Sequence, residues 1–365
     1  MKLFNQQKLF MEKNMLHVFV SYFGTVLSVS RDGKLYHAFP EEIEPNLFCD
    51  SNGNIVKFPN NFLEYSDISI IKENGYFFLR NNDGFLCSDI GGAIGWRQHC
   101  LEMERFTIKA MNDYALLKKT PISFPRMRKT FHINKIIHQT HDEKNIPAEF
   151  MRSVEKLRKL NPTWEYIYWN AQDRLDFIYT YYGWGILEEY LKINRLYGAA
   201  RADLFRYLCI YKMGGAYLDI KSSTNNAFDS FVDANDHYLI SQWRNKRGEI
   251  FDGCGLGPEV SSIDGGEYQQ WNIIAENGHP FLEAVINNVL ARIGRYREDY
   301  YGSGKLSVLR VTGPYVYTMT ISNMLDKFSH RFFDSYQSGL IYSDVDDYTK
   351  LFRNHYALQN TPLIL

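Results

Sequence analysis

The feature that most constrains this chain is a change of pattern across Lys118-Lys-Thr-Pro-Ile-Ser-Phe-Pro-Arg-Met-Arg-Lys129, a stretch with two prolines and a basic cluster. Upstream of it, short runs of β-branched and aromatic residues alternate with turn signals. Downstream, apolar residues recur by turns at strand and at helical spacing. A change of period across a proline-bearing linker marks two folding units, and 365 residues suffice for both. The expected division is an all-β module over residues 1–125 and an α/β domain over residues 126–365.

In the upstream half the turn signals are Arg31-Asp32-Gly33, Ser51-Asn52-Gly53, Asn74-Gly75, Asn81-Asn82-Asp83-Gly84 and Gly91-Gly92. Two segments resemble one another, residues 25–35 and 75–86, each setting strand residues ahead of an Asp-Gly turn that opens a second strand. Repeated hairpins are expected. The run from Gly95 to Ile108, with its Glu104-Arg105-Phe106 segment, resembles the closing strand of β-trefoil or fascin-like modules, whose aromatic residue plugs the barrel. The resemblance implies a small trefoil-like module that binds glycans or serves a structural role. His17, His37 and His99 are too scattered to suggest a metal site.

A formal net charge of −1, from 41 basic and 42 acidic residues, excludes a surface-wide field that gathers nucleic acid or anionic lipid. Cys49, Cys87, Cys100, Cys209 and Cys254 form no CxxC pair and are odd in number, which fits free thiols in a reducing compartment. Residues 15–29 are apolar-rich and follow Lys2, Lys8 and Lys13, but run only about fifteen residues against the ~20 needed to span a bilayer. They read as strands rather than an anchor, so the expected location is cytoplasmic, with room for association at the inner face of a membrane.

Downstream, residues 135–138 read as a buried strand. Pro147 opens a helix with Phe150, Val154, Leu157 and Leu160 at helical spacing, stopped by Asn161-Pro162, and residues 164–169 return as a strand. Residues 186–213 read as one or two helices interrupted near Gly198 and ended by Gly214-Gly215, after which residues 216–220 form a strand. Pro280 and Pro314 each stand where a helix begins.

The chemistry concentrates in residues 197–221. Asp203 and Arg206, three apart on a helix, share a face, and the helix ends on two glycines before the strand that bears Asp219. Taken alone, such a pair is an ordinary surface ion pair and such an acid an ordinary turn residue. All of them within one window of twenty-five residues favour a polar-ligand site at a strand's outer end.

This window, together with Ile133-Asn-Lys-Ile-Ile-His-Gln139 and Asn161-Pro-Thr-Trp-Glu-Tyr-Ile-Tyr-Trp169, resembles the family 32 glycosyltransferases, which include yeast-type initiating mannosyltransferases and bacterial capsular-polysaccharide transferases. The large clostridial glucosylating toxins share much of the pattern. The resemblance covers roughly residues 131–223 and, more loosely, Thr312-Gly-Pro314 and His355-Tyr356. It implies a GT-A (Rossmann-like) fold and a retaining transfer from a UDP- or GDP-sugar to a glycan or glycoconjugate, with no nucleic-acid partner. It also implies that Asp203 and Arg206 hold sugar hydroxyls, that Tyr217 packs beside ribose or sugar, that Asp219 contacts their hydroxyls, and that His138, Gln139 and Thr140 line the nucleotide end.

One departure bears on the metal. Asp219 matches the first acid of the family's D-x-D, but the second position, whose acid ligates Mn²⁺ or Mg²⁺ in the family, is Lys221. An ammonium repels a divalent cation, so either Lys221 itself faces the leaving diphosphate or another acid holds the metal: Asp229, Asp233 or the cluster Asp344-Val-Asp-Asp347. Trp243, Gln270, Trp271, Asn272 and His355 are candidates for acceptor contact. Two rival readings are a carbohydrate-binding scaffold with a decayed donor site, and an effector that glucosylates a protein.

Overall fold

The computed structural model describes residues 16–30, 32–62, 67–118, 122–345 and 359–365; Arg31, Asp346, Asp347, His355 and Tyr356 lie outside the described residues. The chain divides into two compact units, residues 1–120 and 121–365.

The first unit holds strands β1 (His17–Ser21), β2 (Val26–Val29), β3 (Leu35–Ala38), β4 (Phe48–Cys49), β5 (Ile55–Lys57), β6 (Ser69–Glu73), β7 (Tyr76–Asn81), β8 (Gly84–Ser88), β9 (Ile94–Arg97) and β10 (Phe106–Ala110), followed by the single turn α1 (Tyr114–Leu117). They form one sheet in the order β3-β2-β1-β10-β7-β8-β9, with β4 beside β1, β5 beside β4 and β6 beside β7. The turn residues do what their chemistry suggests: Asn74 and Gly75 take φ of 51° and 83°, the left-handed pair that closes a tight hairpin between β6 and β7. Phe106 of the Glu-Arg-Phe segment is fully buried, edge-on to Phe19 with ring centres 6.4 Å apart, in a core shared with Leu27, Leu79 and Leu86. His37 is spent inside this core. Its Nδ1 meets the Thr25 hydroxyl at 2.7 Å, its Nε2 faces the carbonyls of Asp89 and Ala93, and burial lowers its pKa to about 4.

The second unit is an α/β layer structure. Its elements are β11 (Ile136–Thr140), α2 (Ala148–Leu160), β12 (Glu165–Trp169), α3 (Ala171–Tyr182), α4 (Trp184–Lys192), α5 (Gly198–Met213), β13 (Gly215–Leu218), β14 (Ser223–Thr224), β15 (Tyr238–Ile240), β16 (Asn272–Ala275), α6 (Pro280–Gly294), α7 (Glu298–Tyr301), α8 (Gly304–Val311), α9 (Pro314–Ser322), β17 (Arg331–Phe332) and β18 (Leu340–Ile341). The sheet order is β12-β11-β13-β16-β15-β17, and β14 pairs separately with β18. β11 runs parallel to both β12 and β13, whereas β16 is antiparallel to its neighbours β13 and β15. The start of β16 therefore meets the end of β13, at the edge where open α/β sheets bind ligands.

α5 is buried along most of its length, including every residue from Asp203 to Tyr211. A stretch buried all round carries no one-sided stripe, and its two charged residues, Asp203 and Arg206, must find partners inside. The two glycines after it are required by close approach. Gly215 has φ of 96°, and a Cβ there would stand 2.4 Å from the Ile136 carbonyl oxygen on β11. The connection from α4 to α5 is held by residues 361–365, for the Asn194 amide donates to the Leu363 carbonyl at 2.8 Å and the Leu365 amide to the Lys192 carbonyl at 2.9 Å. All five cysteines are unpaired. No helix among the described residues is long and apolar enough to cross a membrane.

Candidate active site

Three segments converge at this edge of the sheet: the second turn of α5, the residues following β13, and the residues leading into β16. Arg206 lies at the centre. Its Nη2 stands 3.0 Å from Asp203 Oδ1 and 3.1 Å from Asp219 Oδ1, its Nη1 donates to the Gln270 carbonyl at 2.8 Å, and its guanidinium lies 4.7 Å from the centre of the Tyr217 ring. Asp203 also accepts from Gln270 Nε2 at 3.2 Å and from the Thr312 hydroxyl at 2.9 Å. Asp219 Oδ1 further accepts from the Tyr217 hydroxyl at 3.3 Å. Asp203 and Arg206 are buried, but the Asp219 side chain remains 24% exposed, so it is the carboxylate of this network that faces outward.

Burial governs the electrostatics. It pushes the Asp203 carboxyl up to about 7, against the lowering by Arg206 and by the hydrogen bonds from Thr312 and Gln270. Arg206 is held firmly protonated despite its burial, chiefly by Asp219, with Tyr217 and Asp203 adding to it. Lys221 is also buried, which lowers its pKa to about 8 although Asp219 favours its charge. The site thus combines an outward carboxylate, a fixed guanidinium and an ammonium that titrates near neutrality.

The residues expected at the nucleotide end have internal duties. His138 is fully buried: Nε2 lies 3.1 Å from the Gly214 carbonyl, Nδ1 accepts from Trp169 Nε1 at 3.2 Å, and burial lowers the ring's pKa to about 4. Gln139 Nε2 donates to the carbonyls of Asp219 and Ser222 at 3.0 and 3.2 Å, while its Oε1 accepts from the Tyr166 hydroxyl. Gln139 therefore positions the turn that bears Asp219 and Lys221. Thr140 donates to the Trp169 carbonyl at 2.7 Å and accepts from Arg174, which also pairs with Asp142.

The candidates for acceptor contact separate. Trp243 and Trp271 both pack edge-on against Tyr342, at ring distances of 5.0 and 5.5 Å, and Tyr342 lies beneath Lys221. Asn272 instead turns inward, bonded to Ser241 and Gln269. His355 lies outside the described residues. Gln270, expected at the acceptor, instead bonds Arg206 and Asp203; Tyr342 carries no motif signal, whereas Thr312 stands in the Thr-Gly-Pro stretch that the family resemblance already marks.

Among the described residues no set fits a resident divalent cation, and Asp346 and Asp347 of the cluster beginning at Asp344 lie outside them. Asp219 Oδ1 is already shared by Arg206 and Tyr217, the next acid of the motif is a lysine, and no group of three His, Cys, Asp or Glu among the described residues could hold a metal. Asp229 is tied to Lys135, Thr163 and Trp164, near the starts of β11 and β12 and so toward the opposite end of the sheet. Asp233 faces Arg331 at 3.6 Å, and Asp344 faces Lys156 at 3.4 Å.

Residues 147–249 match the model of the glycosyltransferase sugar-binding region containing the DXD motif. The chain is 26% identical over 246 residues to inositol phosphoceramide mannosyltransferase 3 of Schizosaccharomyces pombe, covering 62% of this chain and 60% of that one. It is 33% identical over 100 residues to a mannosyl phosphorylinositol ceramide synthase of Saccharomyces cerevisiae, covering 27% and 25%. The alignment thus spans less than two thirds of the relatives' length. Among solved structures, the PaToxG glycosyltransferase superposes with a TM-score of 0.35 at 15% identity, over 53% of this chain and 70% of that one.

Proposed function

We propose that this chain, whose residues 147–249 carry a glycosyltransferase sugar-binding region, transfers a hexose from a nucleoside diphosphate sugar to a hydroxyl of a glycan or glycoconjugate, with retention of configuration. The observation that carries this reading is the buried Asp203–Arg206–Asp219 network at the C-terminal edge of β13. A carboxylate facing outward from a guanidinium-bearing wall can accept hydrogen bonds from sugar or ribose hydroxyls while the adjoining cations face phosphate. The relatives' names favour mannose as the sugar, hence GDP-mannose as donor, and a lipid-linked acceptor reached at a membrane surface.

In this reading Arg206 and Asp219 orient the sugar, and the Lys221 ammonium offsets the negative charge that develops on the leaving diphosphate. Fixed positive charge in a partly water-excluded site is effective because it needs no reorganisation as the bond breaks. A transfer through an oxocarbenium-like path asks for that stabilisation and for a positioned acceptor hydroxyl, not for a strong protein base.

Release of GDP from GDP-mannose, with UDP-sugars tested in parallel, checks this reading. Turnover is expected to persist in excess EDTA and to show a narrow pH bell. Activity rises through about 7 as Asp203 ionises and falls through about 8 as Lys221 loses its proton. Abolition of turnover by EDTA, with recovery on adding Mn²⁺, would overturn the role given to Lys221.

A further inference from the structure

Lys221 and Tyr342 are distant in sequence, yet the backbone brings them together. β14 pairs antiparallel with β18 in the register Ser223 to Ile341 and Thr224 to Leu340. On the lysine's side of that pairing, the Ser222 hydroxyl donates to the Tyr342 carbonyl at 2.7 Å and the Asp344 amide donates to the Lys221 carbonyl at 2.8 Å. Within this frame Lys221 Nζ stands 4.0 Å from the centre of the Tyr342 ring. The ring is itself immobilised. Trp243 and Trp271 meet it edge-on, Phe251 adds a third ring at 6.4 Å, and Trp243 is fixed through its Nε1 to Glu267 at 2.8 Å.

A long, flexible ammonium side chain loses much rotamer freedom when fixed, and burying it costs free energy that an apolar residue would not incur. The aromatic box meets both demands. An aromatic face attracts the cation by its quadrupole and gives it a defined resting place. The same box reaches the donor-site acid, because the Trp271 carbonyl accepts from the Asp219 amide at 2.9 Å.

We propose that Tyr342 is a positioning residue for Lys221, its ring face holding the ammonium where the diphosphate of a nucleotide sugar is received. The inference rests on the donor-site reading above and adds to it the residue that sets the cation's place.

The test is calorimetric titration with GDP and UDP, in EDTA at pH 7, of the full chain and its Tyr342→Phe, Tyr342→Met, Lys221→Met and doubly substituted Lys221→Met/Tyr342→Met forms, each first shown to unfold cooperatively. Tyr342→Phe keeps the ring face and is expected to bind within about twofold of the parent. Tyr342→Met fills similar space without a ring, and its diphosphate affinity is expected to fall about tenfold, on the scale of a partly desolvated cation–π contact. Added to Lys221→Met, the same change is expected to do nothing further, since there is no ammonium left to place. A tenfold loss that persists in the Lys221→Met background, or a Phe variant as weak as the Met variant, overturns the proposal while leaving the donor site intact. A parent chain that binds neither GDP nor UDP removes the donor reading and this inference together.

Discussion

Replacing Lys221 with methionine is expected to lower kcat/KM for donor turnover by about 10²–10³-fold, the range found when one preorganised charge-stabilising group is removed from an active site. The effect should fall on kcat more than on KM, because charge on the leaving diphosphate grows towards the transition state. Lys221→Arg is the informative companion. It keeps a positive charge that does not titrate near neutrality, so part of the activity should return and the alkaline limb of the pH profile, set near 8 by the buried lysine, should move out of range. The sign follows from burial: it lowers the lysine's pKa, so the ammonium is present below about 8 and lost above it. A steady-state pH profile of parent, Met and Arg forms reads all three effects. An alkaline limb unchanged in Lys221→Arg would assign that titration to another group.

The second large effect is structural and catalytic at once. Arg206→Met removes the cation that Asp203 and Asp219 share, leaving one buried and one partly buried carboxylate without their counter-charge. Breaking a buried ion pair by deleting one partner costs about 3–5 kcal/mol. Chemical denaturation of the second unit should register a loss of that order, and nucleotide-sugar turnover should fall with it. Adding Asp203→Asn is expected to recover part of the stability but none of the activity. The asparagine can still accept from Thr312, which now donates to Asp203 Oδ2, while the guanidinium proposed to orient the sugar remains absent. If Arg206→Met is as stable as the parent, the network is not the keystone described here.

Much of the second unit is legible in the sequence because its signals are local. Pro147, Asn161-Pro162, Gly214-Gly215, Pro280 and Pro314 punctuate the chain by backbone chemistry alone, and helices and strands begin or end beside them. The pairing of Asp203 with Arg206 on one helix face follows from spacing. Their burial does not, since that stretch of α5 is enclosed on all sides and has no polar stripe by which to place them. The partners that come from afar are harder still. Gln270 reaches Asp203 through the antiparallel register of β16 with β13, and Tyr342 reaches Lys221 through β14 and β18, pairings of short strands that no periodicity announces.

His138 and Gln139 make a different point. A motif marks them as important without saying how: His138 tethers the Gly214 carbonyl, and Gln139 pins the turn from Asp219 to Ser222. Gln139 thus supports Asp219 and Lys221 from behind, while His138 holds the junction between α5 and β13. In the first unit the Asp-Gly and Asn-Gly turns announce the hairpins, but the joining of ten strands into a single sheet depends on long-range pairs such as β1 with β10.

The most direct test of the donor site is calorimetric titration of the intact chain with GDP-mannose and UDP-glucose in EDTA, repeated with Asp219→Ala. The account predicts that one of the two binds without metal and that Asp219→Ala weakens it at least about tenfold, the loss of a charge-assisted hydrogen bond or two. A folded chain that binds neither sugar nucleotide, with or without Mn²⁺, would contradict the account and leave a carbohydrate-binding scaffold as the better reading of this architecture.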